Sequence, residues 1–241
     1  MKHLEHGHSQ KEILERLAQT PSQSYLRDWI YGGIDGVVTT FAIVSGVVGG
    51  QLSSLVILIL GFANLLADGF SMAASNYLGT KSEVDQYNRY KAIEEKHIDL
   101  MPEGEKNEIK QIFLKKGLHG ETLNQVVEDI TANRTLWIDT MLQEEYGLPA
   151  SLRVPFKSAL STFAAFLLFG IIPLTPYVLV FTNPFFWSCL STAVTFFVIG
   201  SIKSHWSTKS WFYSGSETLI IGVITAILAY SIGVFLHYYL T

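Results

Sequence analysis

Cysteine is nearly absent from this chain: among 241 residues only Cys189 carries a thiol. One thiol closes no intrachain disulfide and builds no thiolate metal cluster, which excludes a stapled secreted scaffold and a zinc ribbon. Charge is scarce as well, with Asp, Glu, Lys and Arg making up 16% of residues against roughly 25% in soluble domains. No basic surplus exists either. A net charge of -4 and a pI near 6.0 give none of the electrostatic footprint of a nucleic-acid binder. Over residues 80–149 no alternation of apolar and polar residues occurs, so no sheet is expected there. What is abundant is apolar: 49% hydrophobic residues and a mean hydropathy of +0.28 describe a membrane protein with a polar portion.

The scarce charges are concentrated. Between Lys81 and Pro149 lie fourteen acidic and nine basic residues, and long stretches elsewhere have almost none. Trp29 to Gly50 holds one charge, Asp35, and Leu52 to Leu78 is apolar apart from Asn64, Asp68, Asn76 and small hydroxyls. Further apolar runs extend from Val154 to Phe181, from Phe185 to Ile202 and from about Thr218 to Leu240, with Pro173 and Pro176 marking where the first of these leaves the bilayer. Each run reaches the ~18–20 residues that span a hydrocarbon core as helix. The expectation is an all-α membrane protein with five transmembrane helices and a helical insert between the second and third. Its divisions are a tail (1–28), spans one and two (29–79), the insert (80–150) and spans three to five (151–241).

Orientation follows from the loops. Gly49 to Ser53 and Pro173 to Pro184 carry no Lys or Arg, whereas Arg16, Arg27, the insert and the Lys203–Lys209 turn are basic. The positive-inside rule puts the second group in the cytoplasm. The first 20 residues are polar and read as a tail rather than a signal peptide. Within that tail His3, Glu5, His6 and His8 could hold metal weakly, although a mobile tail is the simpler reading.

In the insert, Lys81 to Leu100 continues the second span, Pro102 breaks it, and helices follow over Glu103–Lys116, Glu121–Thr131 and Asn133–Glu145. About seventy residues make a small core, so support from the spans, a partner or bound metal is expected. Glu94 and His97, Glu105 and Glu108, and Met141 and Glu145 fall at helical-neighbour spacing, so each pair shares a face. Three such faces could converge on one site of carboxylates, an imidazole and a thioether, a donor set for Fe(II), Mn(II) and similar divalent ions. Solvated glutamates and a core methionine are the alternative.

Asp35 and Asp68 lie inside spans, where an ionised Asp costs roughly 2.5–3.5 kcal/mol at a helix centre. Asn64, Asp68 and Met72 recur every fourth residue and Asn76 extends them, a polar stripe ending in a soft sulfur. Gly32 and Gly36 permit close helix approach, either within the chain or with a second copy. Cys189 reads as a small apolar residue and Glu217 as interfacial.

Two motifs carry a resemblance. Asp35-Gly-Val-Val-Thr-Thr-Phe41, and Ala63-Asn-Leu-Leu-Ala-Asp-Gly-Phe-Ser-Met-Ala73 running on to Tyr77-Leu-Gly-Thr-Lys-Ser-Glu83, resemble the vacuolar iron transporter family, its CCC-type members included. The likeness covers nearly the whole chain from about Arg27. It implies a homodimer that exports cytosolic Fe(II), and sometimes Mn(II), in exchange for protons. The metal is then cargo, with no permanent cofactor. The resemblance puts Asp35 and Met72 on the pathway, with Asn64 and Asp68 beside them. It also implies a metal cluster of Glu94, His97, Glu105, Glu108, Met141 and Glu145. Two positions depart from the fullest acidic set, His97 and Asn64 standing where Glu is found. The former makes binding depend on a neutral imidazole, and the latter carries no proton, work that Asp68 could take over. A bacterial inner membrane is the expected location, with a vacuolar membrane as the alternative. The rival function is a ferroxidase or metal sensor, since Glu94 and His97 form an E-x-x-H pair. Di-iron bundles use two such pairs and this chain has one.

Overall fold

The computed structural model describes residues 7–18 and 23–240, and all regular structure among them is helical. Five helical stretches are long and apolar enough to cross a membrane: Leu26–Gly49, Ser54–Leu100, Pro155–Val178, Pro184–Trp206 and Trp211–Leu240. The helices in chain order are α1 (Gln10–Ala18), α2 (Leu26–Gly49), α3 (Ser54–Leu100), α4 (Pro102–Lys115), α5 (Gly120–Thr131) and α6 (Arg134–Glu144). They continue as α7 (Pro155–Gly170), α8 (Thr175–Val178), α9 (Pro184–Lys203) and α10 (Trp211–Leu240). Two compact units emerge, one of residues 25–80 and 154–241, the other of 81–153 with the amino-terminal residues up to 24. His3, Glu5 and His6 lie outside the described residues.

The membrane unit is built around α2, which buries more of its surface than any other span. Its glycines set the spacing. A Cβ at Gly32 would fall 2.3 Å from the Thr162 carbonyl oxygen, and one at Gly36 2.4 Å from that of Phe166. Both glycines therefore face α7 of the same chain, which decides between the two packings their spacing allowed. Gly36→Ala should sharply reduce the folded fraction recovered in detergent, because the obstacle is backbone that cannot rotate away. Gly46→Ala is the control, since its Cβ would meet only the Ala229 oxygen at 3.5 Å. Equal recovery of the two variants would refute this account of the α2–α7 contact.

Two details differ from expectation. The first span begins at Leu26 rather than Trp29 and takes Asp28, which is buried, into its first turn. Asn76 on α3 makes that burial tolerable by donating to Asp28 Oδ1 at 2.9 Å. In the third span Pro173 and Pro176 do not end the helical path. Each sits in the first turn of the next short piece, the 3-10 turn Ile172–Leu174 and α8, where a missing N–H costs nothing. Both remain buried.

Helix α10 buries only Ser214, Gly215, Thr218, Gly222 and Gly233 and exposes large aliphatic side chains elsewhere, as a span surrounded by hydrocarbon does. Cys189 lines an apolar cavity of about 430 Å³ with Phe41, Phe185 and Phe196. Glu217 pairs with Lys209 at 3.2 Å and Lys203 at 3.8 Å.

The second unit has a core of its own. Ile98, Ile109, Leu123, Val127, Trp137, Ile138, Met141 and Leu142 are buried together, with Tyr87, Tyr90, Phe113 and Tyr146 packed against them. Helix α4 ends at Lys115, followed by Gly117 at φ +92°, and the Asn133 side chain caps α6 by accepting from the Thr135 and Leu136 amides at 3.1 and 3.2 Å. Arg134 ties α6 to α3 through Asp99 at 2.6 Å and the Glu95 carbonyl at 3.1 Å.

Candidate metal pathway and capture site

In the membrane unit α2 and α3 run antiparallel and share a polar seam. At one end Asn76 Nδ2 lies within bonding distance of Asp28 Oδ1, the Thr162 hydroxyl at 2.7 Å and the Ser158 carbonyl at 3.3 Å, so one carboxamide joins α2, α3 and α7. Further along, Asn64 donates to Thr39 Oγ1 at 3.3 Å, and Thr39 donates to the Asp35 carbonyl at 3.0 Å. The register fixed by these bonds sets Asp35 level with Asp68 and Gly32 level with Met72. All four pathway residues named from the sequence, Asp35, Asn64, Asp68 and Met72, are half-buried and lie along this seam. Asp28 was missed because its charge placed it outside the apolar run. Its spacing of seven from Asp35 was the available signal. Beyond the Thr39–Asn64 contact the seam's hydrogen bonds stop, and Phe41, Val44, Val47, Ile57, Leu174 and Tyr177 form a buried, mainly apolar cluster in which the Ser45 and Tyr177 hydroxyls are buried without a partner.

In the second unit the last turns of α3 and the first turn of α4 bring Glu94, His97 and Glu105 together, each offering one ligand atom within 4.8 Å of the others. His97 Nδ1 is 3.4 Å from Glu105 Oε1. The imidazole is half exposed, while Glu94 is 1% and Glu105 5% exposed. Tyr146 donates to Glu94 Oε1 at 2.9 Å. The other oxygen of each carboxylate, Glu94 Oε2 and Glu105 Oε2, is buried with no hydrogen-bond partner. Two buried, unpartnered carboxylate oxygens beside an imidazole are costly unless a proton or cation sits among them. Hard oxygens with one nitrogen suit a divalent transition ion.

Electrostatics agree. Burial pushes the Glu105 carboxyl up to about 7, helped by the neighbouring carboxylates of Glu94, Glu108 and Glu145. Burial raises Glu145 too, and the charges of Glu94 and Glu108 add to it. Glu108 and Glu145 are exposed residues that surround the triad electrically rather than completing it. Met141 is fully buried in the apolar core to which α3, α4, α5 and α6 contribute. Tyr146 went unnoticed in the sequence because a tyrosine after a Glu pair carries no spacing signal.

The sequence profile of the VIT family matches residues 26–234. The Vacuolar iron transporter of Plasmodium berghei (strain Anka) is 30% identical over 243 residues, covering 95% of this chain and 89% of its own length. Vacuolar iron transporter 1 of Oryza sativa subsp. japonica is 32% identical over 95% of this chain and 89% of its own. Vacuolar iron transporter 1 of Arabidopsis thaliana is 33% identical over 85% of this chain and 83% of its own.

Proposed function

Because the chain belongs to the VIT family, we propose that it carries Fe(II), with Mn(II) as a second cargo, out of the cytosol in exchange for protons. The observation that carries this reading is the membrane seam, two carboxylates facing each other within spans and a thioether one turn away. Isolated carboxylates at that depth are expensive and mark ion or proton routes. Cytosolic metal is first held by Glu94, His97 and Glu105 under the field of Glu108 and Glu145, with Met141 in the core beside them. It then passes to Met72 and Asp35. Protons arriving from the far side neutralise Asp35 or Asp68, weaken the metal's hold and reset the carrier. The amino terminus and the insert face the cytoplasm on the positive-inside rule. A bacterial inner membrane and a vacuolar membrane both fit, and metal leaves the cytosol in either.

A homodimer fits the exposed face of α3. Gly32 and Gly36 are occupied by α7, but Ala63, Ala67, Ser71, Ser75 and Gly79 form an exposed small-residue stripe. Each stripe member directly precedes a seam position or the buried Thr80. A second copy packed there would line the seam from its open side. The ferroxidase alternative has one E-x-x-H pair among the described residues and no second observation in its favour.

The test is uptake of Fe(II) and of Mn(II) into proteoliposomes with and without an inward-acid pH gradient. Accumulation that requires the gradient is the expected result. Uptake indifferent to it would remove proton exchange, and no uptake by folded protein would overturn the transport reading.

A further inference from the structure

The proposed capture site has a member that is not a ligand. Tyr146 lies just beyond α6, two residues after its last turn, and its ring is tilted against that of Tyr90 with centroids 4.4 Å apart. Tyr90 precedes Glu94 by one turn on α3, so the ring contact holds the phenol over the Glu94 carboxylate. The phenol donates to Glu94 Oε1 at 2.9 Å, which leaves Oε2 as that side chain's unpartnered oxygen. The adjacent Glu145 carboxylate is a second hydrogen-bond partner of the phenol, which therefore stands between the two carboxylates. A glutamate has three rotatable side-chain bonds, and a mobile carboxylate loses entropy when it closes on an ion. One pinned by a ring-anchored donor has lost that freedom beforehand.

We propose that Tyr146 is a positioning residue for metal capture, which fixes Glu94 by occupying Oε1 and leaves Oε2 free to bind a divalent cation together with His97 and Glu105. The role is that of the groups behind metal ligands generally, whose removal weakens binding about 10–100-fold. It rests on the metal-capture reading given above. The ring contributes to packing through Tyr90 and the core, and the hydroxyl contributes to Glu94, so Tyr146→Phe separates the two.

The experiment is a Mn(II) titration of the full-length protein in detergent, read by the paramagnetic resonance of the free ion, with thermal melts of the metal-free samples. Wild type should bind Mn(II), Glu105→Ala should lose the tight site, and Tyr146→Phe should bind roughly 10–100-fold more weakly. Its metal-free melt should stay within a few degrees of wild type. In a Glu94→Ala background Tyr146→Phe should add no further loss, because the phenol acts through that carboxylate. Wild-type affinity in Tyr146→Phe, alongside loss in Glu105→Ala, would overturn the positioning role and leave the capture site standing. A markedly lower metal-free melt would make Tyr146 a structural residue and overturn it as well. No tight binding by wild type, or unchanged binding by Glu105→Ala, would remove the capture site itself.

Discussion

Asp35→Ala is expected to reduce metal uptake into proteoliposomes to that of empty vesicles, with the protein still extracted and folded. Asp35 is half-buried on α2, level with Asp68 on α3, and the nearest polar members of the seam, Thr39 and Asn64, are neutral, while Asp28 at its far end is tied to Asn76. Asn64 and Thr39 supply hydrogen bonds but neither charge nor a group that titrates near neutral pH. A dehydrated divalent ion needs charge as well as lone pairs, and two facing carboxylates are what the seam offers. Removing one halves the anionic charge at that level. It also removes one of two proton acceptors, so binding and coupling fail together. Asp35→Asn keeps the side chain's volume and should be as inactive as Asp35→Ala, which separates charge from packing. Substantial flux through Asp35→Asn would sink the pathway assignment. Asp68→Asn should retain metal binding better than transport, because Asn64 provides no substitute proton acceptor.

Acid should empty the capture site. Glu105, held up to about 7, faces Glu94 and His97 from α3, Glu108 from its own helix, and Glu145 with Tyr146 from beyond α6. A divalent ion binds the ionised carboxylate, so below pH 7 each unit of acidification should weaken Mn(II) binding about tenfold through this group alone. The apo protein should respond in the opposite sense. A carboxyl whose folded value lies above its unfolded one favours the folded state while protonated. Its penalty is absent below the unfolded value of 4.5, grows as pH rises from there to about 7, and is constant above. Metal-free protein should therefore melt higher at pH 5 than at pH 8, and Mn(II) should reverse that order. In Glu105→Gln both the apo pH dependence and much of the tight binding should go. An apo melting temperature that is flat in wild type and variant alike would refute the protonated Glu105.

The long uncharged runs made the spans legible, because hydrophobicity at that length has few other uses. The helix ends of the insert were legible too, since Pro102, Gly117 and Asn133 act locally on the backbone. Boundaries failed where a tertiary partner overrides a local signal. Asp28 looked like the end of a span because the Asn76 carboxamide that accommodates it is 48 residues away. Gly32 and Gly36 announced a close contact without naming the partner, as spacing describes one surface and not the surface that meets it. Glu94, His97 and Glu105 were marked by helical periodicity. That two of their oxygens are buried and unpartnered depends on how α3 and α4 meet at Met101, and no pairwise spacing encodes that. The phenol of Tyr146 was invisible for the same reason.

The apolar cluster beyond Thr39 and Asn64 has a consequence for the cell's energy supply. A membrane that stores a proton gradient behaves as a charged capacitor, and any continuous file of polar groups across it is a short circuit. The seam runs only part of the way. Val44 and Leu174 are fully buried and Ile57 nearly so, and together with Phe41 they form a mainly apolar plug, interrupted by the Ser45 and Tyr177 hydroxyls, into which a bare ion does not pass cheaply. A plug of this kind is what would let a carrier sit in an energised membrane without discharging it. Polar substitution at Val44 or Leu174 would expose the host to a leak.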